Sequence, residues 1–167
     1  MIIWLASYPK SGNTLLRSIL ATYFFSKEGE FKFDYLYKIE QFPSIKNFEN
    51  IGVDILDEKK VFNNFIQAQK FINKEKSKIK FIKTHSSLSR INDSNFTDLD
   101  NTLGAIYIVR DPRNVIKSYA HHYDLSLDEA ADAMIDQTRW LVKTDKMFKT
   151  FLSSWSINYN SWKQLGD

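Results

Sequence analysis

Three short strings carry residue types that do chemistry together. In Ser7-Tyr8-Pro9-Lys10-Ser11-Gly12-Asn13-Thr14, a proline, a lysine, a glycine and hydroxyls stand directly before an apolar-periodic segment. Free N–H groups and the positive end of the dipole at a helix start favour a phosphate, and a glycine lets the backbone approach it. An ordinary strand-to-helix turn is the plainer reading, but it does not ask for all of these types at once. The order departs from the Gly-x4-Gly-Lys-Ser/Thr phosphate loop, because Lys10 precedes Gly12. The ammonium is thereby expected at the loop entrance, where a leaving group bonded to a held phosphate would lie.

The second string is Lys83-Thr84-His85. A histidine titrates near neutrality, with a reference pKa of about 6.5, and so serves as a general base. A lone histidine is more often structural; the company of the other two strings favours catalysis here. The third string is Arg110-Asp111-Pro112-Arg113-Asn114, with Ser118 about two helical turns further on. A guanidinium gives a forked contact to a phosphate and a hydroxyl adds a donor. An Arg–Asp surface pair with Ser118 merely exposed is the competing reading. His121 and His122 are adjacent, and consecutive helix residues diverge by roughly 100°. They are therefore not read as a metal site, and one of them is expected to pack.

The elements that must hold these strings can be read from periodicity. Apolar runs at 2–6, 79–82 and 105–109 read as buried strands. Leu15, Leu16, Ile19, Leu20, Tyr23 and Phe24 recur at helical spacing over 14–25, and Val61, Phe62, Phe65, Ile66, Ala68 and Phe71 predict a helix ending near Lys74. Pro112 suits a first helical position. Ser126 and Glu129 form a capping box opening a helix through Leu141, and a last helix is expected over 155–165 with Gly166 as its stop. The stretch 29–54, with Phe31, Phe33, Tyr35 and Tyr37, is the least periodic and reads as a packed surface excursion more readily than a functional lid, with a substrate-facing loop as the alternative. This alternation predicts an α/β fold, a parallel doubly wound sheet with flanking helices. In such sheets ligands bind beyond the carboxyl ends of the strands, where all three strings fall.

Composition bounds the reading. The 167 residues are 43% hydrophobic and 15% aromatic, enough for one folded domain and incompatible with global disorder. With no cysteine, disulfides, thiolate metal sites and thiol nucleophiles are excluded, and a cytoplasmic setting is the default. A net charge of +3 is too small to argue for nucleic-acid binding. Eight lysines fall between Lys59 and Lys83 with Glu75 as the lone acid, which reads as a solvated helix face more readily than an anion-attracting rim. The start lacks the pattern of a signal peptide, and no apolar run approaches the roughly 20 residues of a membrane span.

YPKSGNTLLR, FIKTH and YIVRDPRNVIKSY, in this order, resemble the signature of the P-loop sulfotransferases that use 3′-phosphoadenosine 5′-phosphosulfate (PAPS). SSWSINYNSW is similar to a Ser-Trp…Trp stretch of many members, and KSGNT and RDPR look more like bacterial than animal forms. The resemblance implies the P-loop NTPase-like sulfotransferase fold. It implies that the backbone of Ser11, Gly12, Asn13 and Thr14, with the side chains of Lys10, Ser11 and Thr14, holds the 5′-phosphate. Lys10 would also meet the bridging oxygen as the sulfuryl group departs. His85 would take the acceptor's proton, Lys83 would assist with developing charge, and Arg110 and Ser118 would bind the 3′-phosphate. PAPS would be the co-substrate and adenosine 3′,5′-bisphosphate the product, with no metal. The acceptor would be a small molecule, glycan or lipid offering a hydroxyl or, less readily, an amine.

Leu15 stands where many members carry a tryptophan that stacks on adenine. No counterpart of the family's later strand and basic Gly-containing loop is recognisable before Asp167, so residues 1–167 are expected to be the N-terminal part of a longer domain. A weak or inactive nucleotide-binding remnant is the alternative. A P-loop kinase is less favoured, since no strand end carries an acidic magnesium ligand.

Overall fold

The computed structural model describes residues 1–74 and 78–166; Glu75 and Lys76 of the lysine-rich run lie outside them. The element order is β1 (Ile2–Ser7), α1 (Asn13–Phe25), a 3-10 helix (Phe33–Lys38), α2 (Ile45–Glu49), α3 (Glu58–Asn63), α4 (Phe65–Ile72), β2 (Lys80–Thr84), β3 (Arg90–Ile91), β4 (Ser94–Asn95), β5 (Thr102–Ile108), α5 (Pro112–Tyr123), α6 (Leu127–Ile135), β6 (Trp140–Leu141), β7 (Thr150–Phe151) and α7 (Trp155–Trp162). β1 lies between β2 and β5 in a parallel sheet ordered β2-β1-β5. Its register sets Ala6 opposite Thr84 and Ser7 opposite Ile108, so all three strands end at one level. Among the described residues, no helix is long and apolar enough to cross a membrane.

β1 is apolar on both faces, as a central parallel strand must be. Ile2, Trp4 and Ala6 enter an aromatic core with Phe42, Phe48, Phe62, Phe65, Phe96, Phe148 and Trp162. Leu5 faces the other way, toward Ala21 of α1 and Ile39. Trp4 is fully buried, and its indole N–H donates to Thr102 Oγ1 at 2.9 Å. Thr97 Oγ1 meets Thr102 Oγ1 at 2.7 Å and donates to Gln69 Oε1, whose amide donates to Phe96 O at 2.6 Å. The buried polar atoms of this core are thus linked to one another, which avoids the penalty of leaving them unpaired.

Four expectations are corrected. The 29–54 stretch is not all surface: Ile39, Phe42, Ile45 and Phe48 are buried, and residues 40–42 extend the sheet beside β2 through Phe42 N to Lys83 O and Lys83 N to Glu40 O, both 2.9 Å. Burial of Phe42 and Phe48 in the aromatic core outweighs the segment's lack of period. The periodic helix before Lys74 is two helices broken at Asn64. The capping box at Ser126 and Glu129 forms, but α6 stops at Ile135, because Asp136 turns out of the helix to cap Thr138 N and frees Trp140 and Leu141 to pair with β7. His121 and His122 are both exposed, so neither packs into the core, and the His122 ring meets that of Tyr123 edge-on at 4.7 Å.

α1 forms as expected but with its face rotated. Asn13, Arg17 and Ala21 are its buried residues, while Leu15, Ile19 and Tyr23 are exposed. Polar residues occupy the inner stripe because that face borders the strand ends. Trp4→Ala is therefore expected to lower stability by about 3–5 kcal/mol, whereas Leu15→Ala changes it by less than about 0.5 kcal/mol. Urea unfolding of the two variants checks both.

Candidate functional site

The loop after β1 is anchored before it is chemical. Tyr8 is fully buried and packs with Val115, Tyr119 and Leu152, which brings the loop against α5. Lys10 and Gly12 both take left-handed backbone, φ 66° and 103°. A side chain at Gly12 would find space, the nearest atom being Ile108 Cγ2 at 4.0 Å, but would be strained by that φ. Asn13 Nδ2 donates to Leu5 O at 2.9 Å and to Ser7 Oγ at 3.1 Å, pinning the start of α1 to the end of β1. Asn13 thus offers the cleft its backbone rather than its amide. The N–H groups of the first turn have no intrahelical acceptor. Ser11 is buried, and its hydroxyl has no partner among the described residues.

His85 follows the last residue of β2 and lies against Ser7. Its Nδ1 is 2.8 Å from Ser7 O and 3.2 Å from Ser7 Oγ. A carbonyl only accepts, so Nδ1 carries the proton and Nε2 keeps its lone pair. Burial, with the Lys83 charge second, holds the imidazole well below its ordinary pKa despite the Ser7 bond, so it is neutral near pH 7. Lys83 Nζ donates to Gln41 Oε1 at 3.0 Å. Burial, then the Arg17 charge, lowers its pKa to about 7.

α7 holds this strand end. Asn158, fully buried, donates to His85 O at 3.0 Å and Leu152 O at 2.8 Å, and accepts from Tyr107 OH at 2.7 Å. One turn on, Trp162 Nε1 donates to Ser86 O at 2.9 Å. Trp162 belongs to the aromatic core, and the helix does more than pack.

In the third string Asp111 caps α5, accepting from Arg113 N at 2.9 Å, and pairs with the Arg113 guanidinium at 2.6 Å. The hydrogen bonds from Arg113 hold the Asp111 carboxyl down at about 2. Asp111 is thus spent on Arg113, and Arg110 is left to the cleft, where its Nη1 donates to Lys10 O at 3.0 Å. The first and third strings are joined by that bond.

A cleft of about 530 Å³ lies over the three strand ends. Lys10, Gly12, Asn13, Thr14, Lys83, His85, Arg110 and Ser118 line it; Ser11 does not. Pro9 of the first string, with Arg17, Gln41, His122 and Tyr123, completes the wall, and sequence reasoning did not assign any of the last four to the site. His122 sits one turn beyond Ser118 at i, i+4, a spacing visible in sequence; Arg17, one turn after Asn13, was hidden by its apolar neighbours. Leu15 is 68% exposed and lies outside the lining. Among the described residues, four basic side chains, Lys10, Arg17, Lys83 and Arg110, and no carboxylate line the cleft. Among the described residues, no group of three or more His, Cys, Asp or Glu is placed to hold a metal.

Lys83 gives a test of this electrostatic picture. Its folded pKa of about 7 lies far below the unfolded value of about 10.4. Between them the unfolded chain binds more protons, so this term stabilises the fold above the unfolded pKa and is lost as pH falls through the folded one. From pH 7 to 9 the wild type is expected to gain stability relative to Lys83→Met in urea unfolding. Parallel pH profiles would place the ammonium in solvent.

No curated protein matches the chain in a sequence comparison. A family model described as Sulfotransferase domain matches residues 2–165, a span that holds all three strings and the sheet that aligns them. The chain belongs to the sulfotransferase family.

Proposed function

We propose that the cleft binds PAPS and that the protein transfers its sulfuryl group to a hydroxyl acceptor, with His85 as general base. The observation that carries this reading is a neutral His85 with a free Nε2 in a cleft that holds Lys10, Arg17, Lys83 and Arg110 and no acid. PAPS is anionic at both ends, and the two ends have separate donor sets here. The N–H groups of the first turn of α1, with Lys10 and Thr14, suit the 5′-phosphosulfate; the orphaned Ser11 hydroxyl is a further donor within that loop. Arg110 and Ser118 suit the 3′-phosphate.

PAPS supplies the sulfuryl group. His85 Nε2 takes the acceptor's hydroxyl proton as the new O–S bond forms and the bond from sulfur to the bridging phosphate oxygen breaks. Lys10 and the α1 amides stabilise the charge left on the phosphate, and adenosine 3′,5′-bisphosphate leaves. Lys83 is charged when an anion lies beside it, because a negative neighbour raises its pKa. A cytoplasmic setting accords with the cysteine-free composition.

Calorimetry with adenosine 3′,5′-bisphosphate and with adenosine 5′-phosphate tests the two-ended site. Arg110→Ala is expected to weaken the bisphosphate by about tenfold to a hundredfold, as loss of a charged hydrogen bond does, with little effect on the monophosphate. Equal losses would remove Arg110 from the 3′ end. With radiolabelled PAPS and a mixed acceptor panel, His85→Ala is expected to slow transfer by about 10²–10⁴-fold and to leave bisphosphate affinity intact. Full turnover in that variant would overturn the base assignment, and binding without turnover in the wild type would favour the remnant.

A further inference from the structure

A second groove of about 440 Å³ opens beside the cleft, between the 3-10 helix, α2 and the 145–147 turn. Arg17 and Gln41 line both spaces, so the two adjoin at these side chains, and on the cleft side Gln41 accepts from Lys83, two residues before His85. The walls are tied in place. Arg17 Nη2 donates to Leu36 O at 2.7 Å and Ile39 O at 2.8 Å. Ile45 N donates to Lys146 O at 2.9 Å, and Phe148 N to Pro43 O at 3.0 Å.

The chemistry of the groove is unlike that of the cleft. Glu40, Glu49 and Asp145 stand in it with Lys46, Lys146 and Arg17, three charges of each sign. None of these carboxylate groups has an ion-pair or hydrogen-bond partner among the described residues. Arg17 is 8% exposed, and its Nε is buried at the junction without a partner. Tyr37 is 82% exposed on the groove wall. An anionic molecule gains nothing from a balanced groove, and an apolar one would strip water from charges without replacing it. Hydroxyls satisfy both signs, donating to carboxylates and accepting from ammonium and guanidinium groups. An exposed aromatic face suits the C–H side of a sugar ring.

We propose that this groove seats the acceptor, and that the acceptor is a saccharide whose reacting hydroxyl passes Gln41 to reach His85. The proposal rests on the sulfuryl-transfer reading. The intact chain is first titrated with adenosine 3′,5′-bisphosphate by calorimetry. The saturated protein is then titrated with maltose, methyl α-glucoside, 4-nitrophenol and octanol while amide shifts are followed by NMR. Saccharides are expected to shift Tyr37, Gln41 and Glu49, and Tyr37→Ala and Glu49→Gln to weaken them at least tenfold with bisphosphate affinity unchanged. Bisphosphate binding with no saccharide shifts in the groove, or with the phenol or octanol bound there instead, overturns the saccharide assignment alone. Failure of the bisphosphate to bind overturns the transfer reading and the acceptor role with it.

Discussion

Because β1 is hydrogen-bonded to β2 on one side and β5 on the other, with Ala6 opposite Thr84 and Ser7 opposite Ile108, the chain leaves all three strands at the same height. Each exit string therefore enters the same space, although they are separated by most of the sequence. The bond from His85 Nδ1 to Ser7 O is possible only in this register, and it leaves Nε2 free. The Arg110 contact to Lys10 O closes the same arrangement on the β5 side. Burial of Trp4 and Leu5 on opposite faces keeps β1 in the middle.

The cleft is electrostatically unfinished by the chain alone. Cations without carboxylate partners oppose folding, since burial penalises charge and like charges repel. The protein bears this with neutral acceptors: two carbonyls for Arg17, an amide oxygen for Lys83 and a loop carbonyl for Arg110. Neutral partners hold the side chains without cancelling their charge, so the field remains available to an anion. Acidic residues are nearby but placed elsewhere, Asp111 on Arg113 and Glu40, Glu49 and Asp145 in the adjoining groove. Such a division sets a space lined by basic side chains apart from one of balanced charge, with Arg17 and Gln41 common to both.

Much of the site was legible because its parts are consecutive. Lys10 to Thr14 and Arg110 with Ser118 follow strands that apolar runs revealed, Lys83 and Thr84 end a third with His85 directly after it, and helix-start chemistry is local. The misreadings have a different origin. Apolar spacing on α1 located the helix but not its inner stripe, since Leu15, Ile19 and Tyr23 are exposed while Asn13 and Arg17 are buried. Period likewise missed the buried Phe42 and Phe48, which lie in a segment held by β2 and by the turn before β7 rather than by its own repeat.

The sequence by itself determined the three strands of the central sheet, the starts of α1, α5, α6 and α7 and the three polar strings at the strand ends, all set by interactions within a few residues. Only the tertiary structure decided which side chains complete them. Gln41 reaches Lys83 across 42 residues, and Asn158 reaches the His85 carbonyl across 73. Neither contact has a local signature, because a buried hydrogen bond depends on where two distant segments are packed. Residue type alone leaves an asparagine or glutamine as free to face water as to hold a strand end.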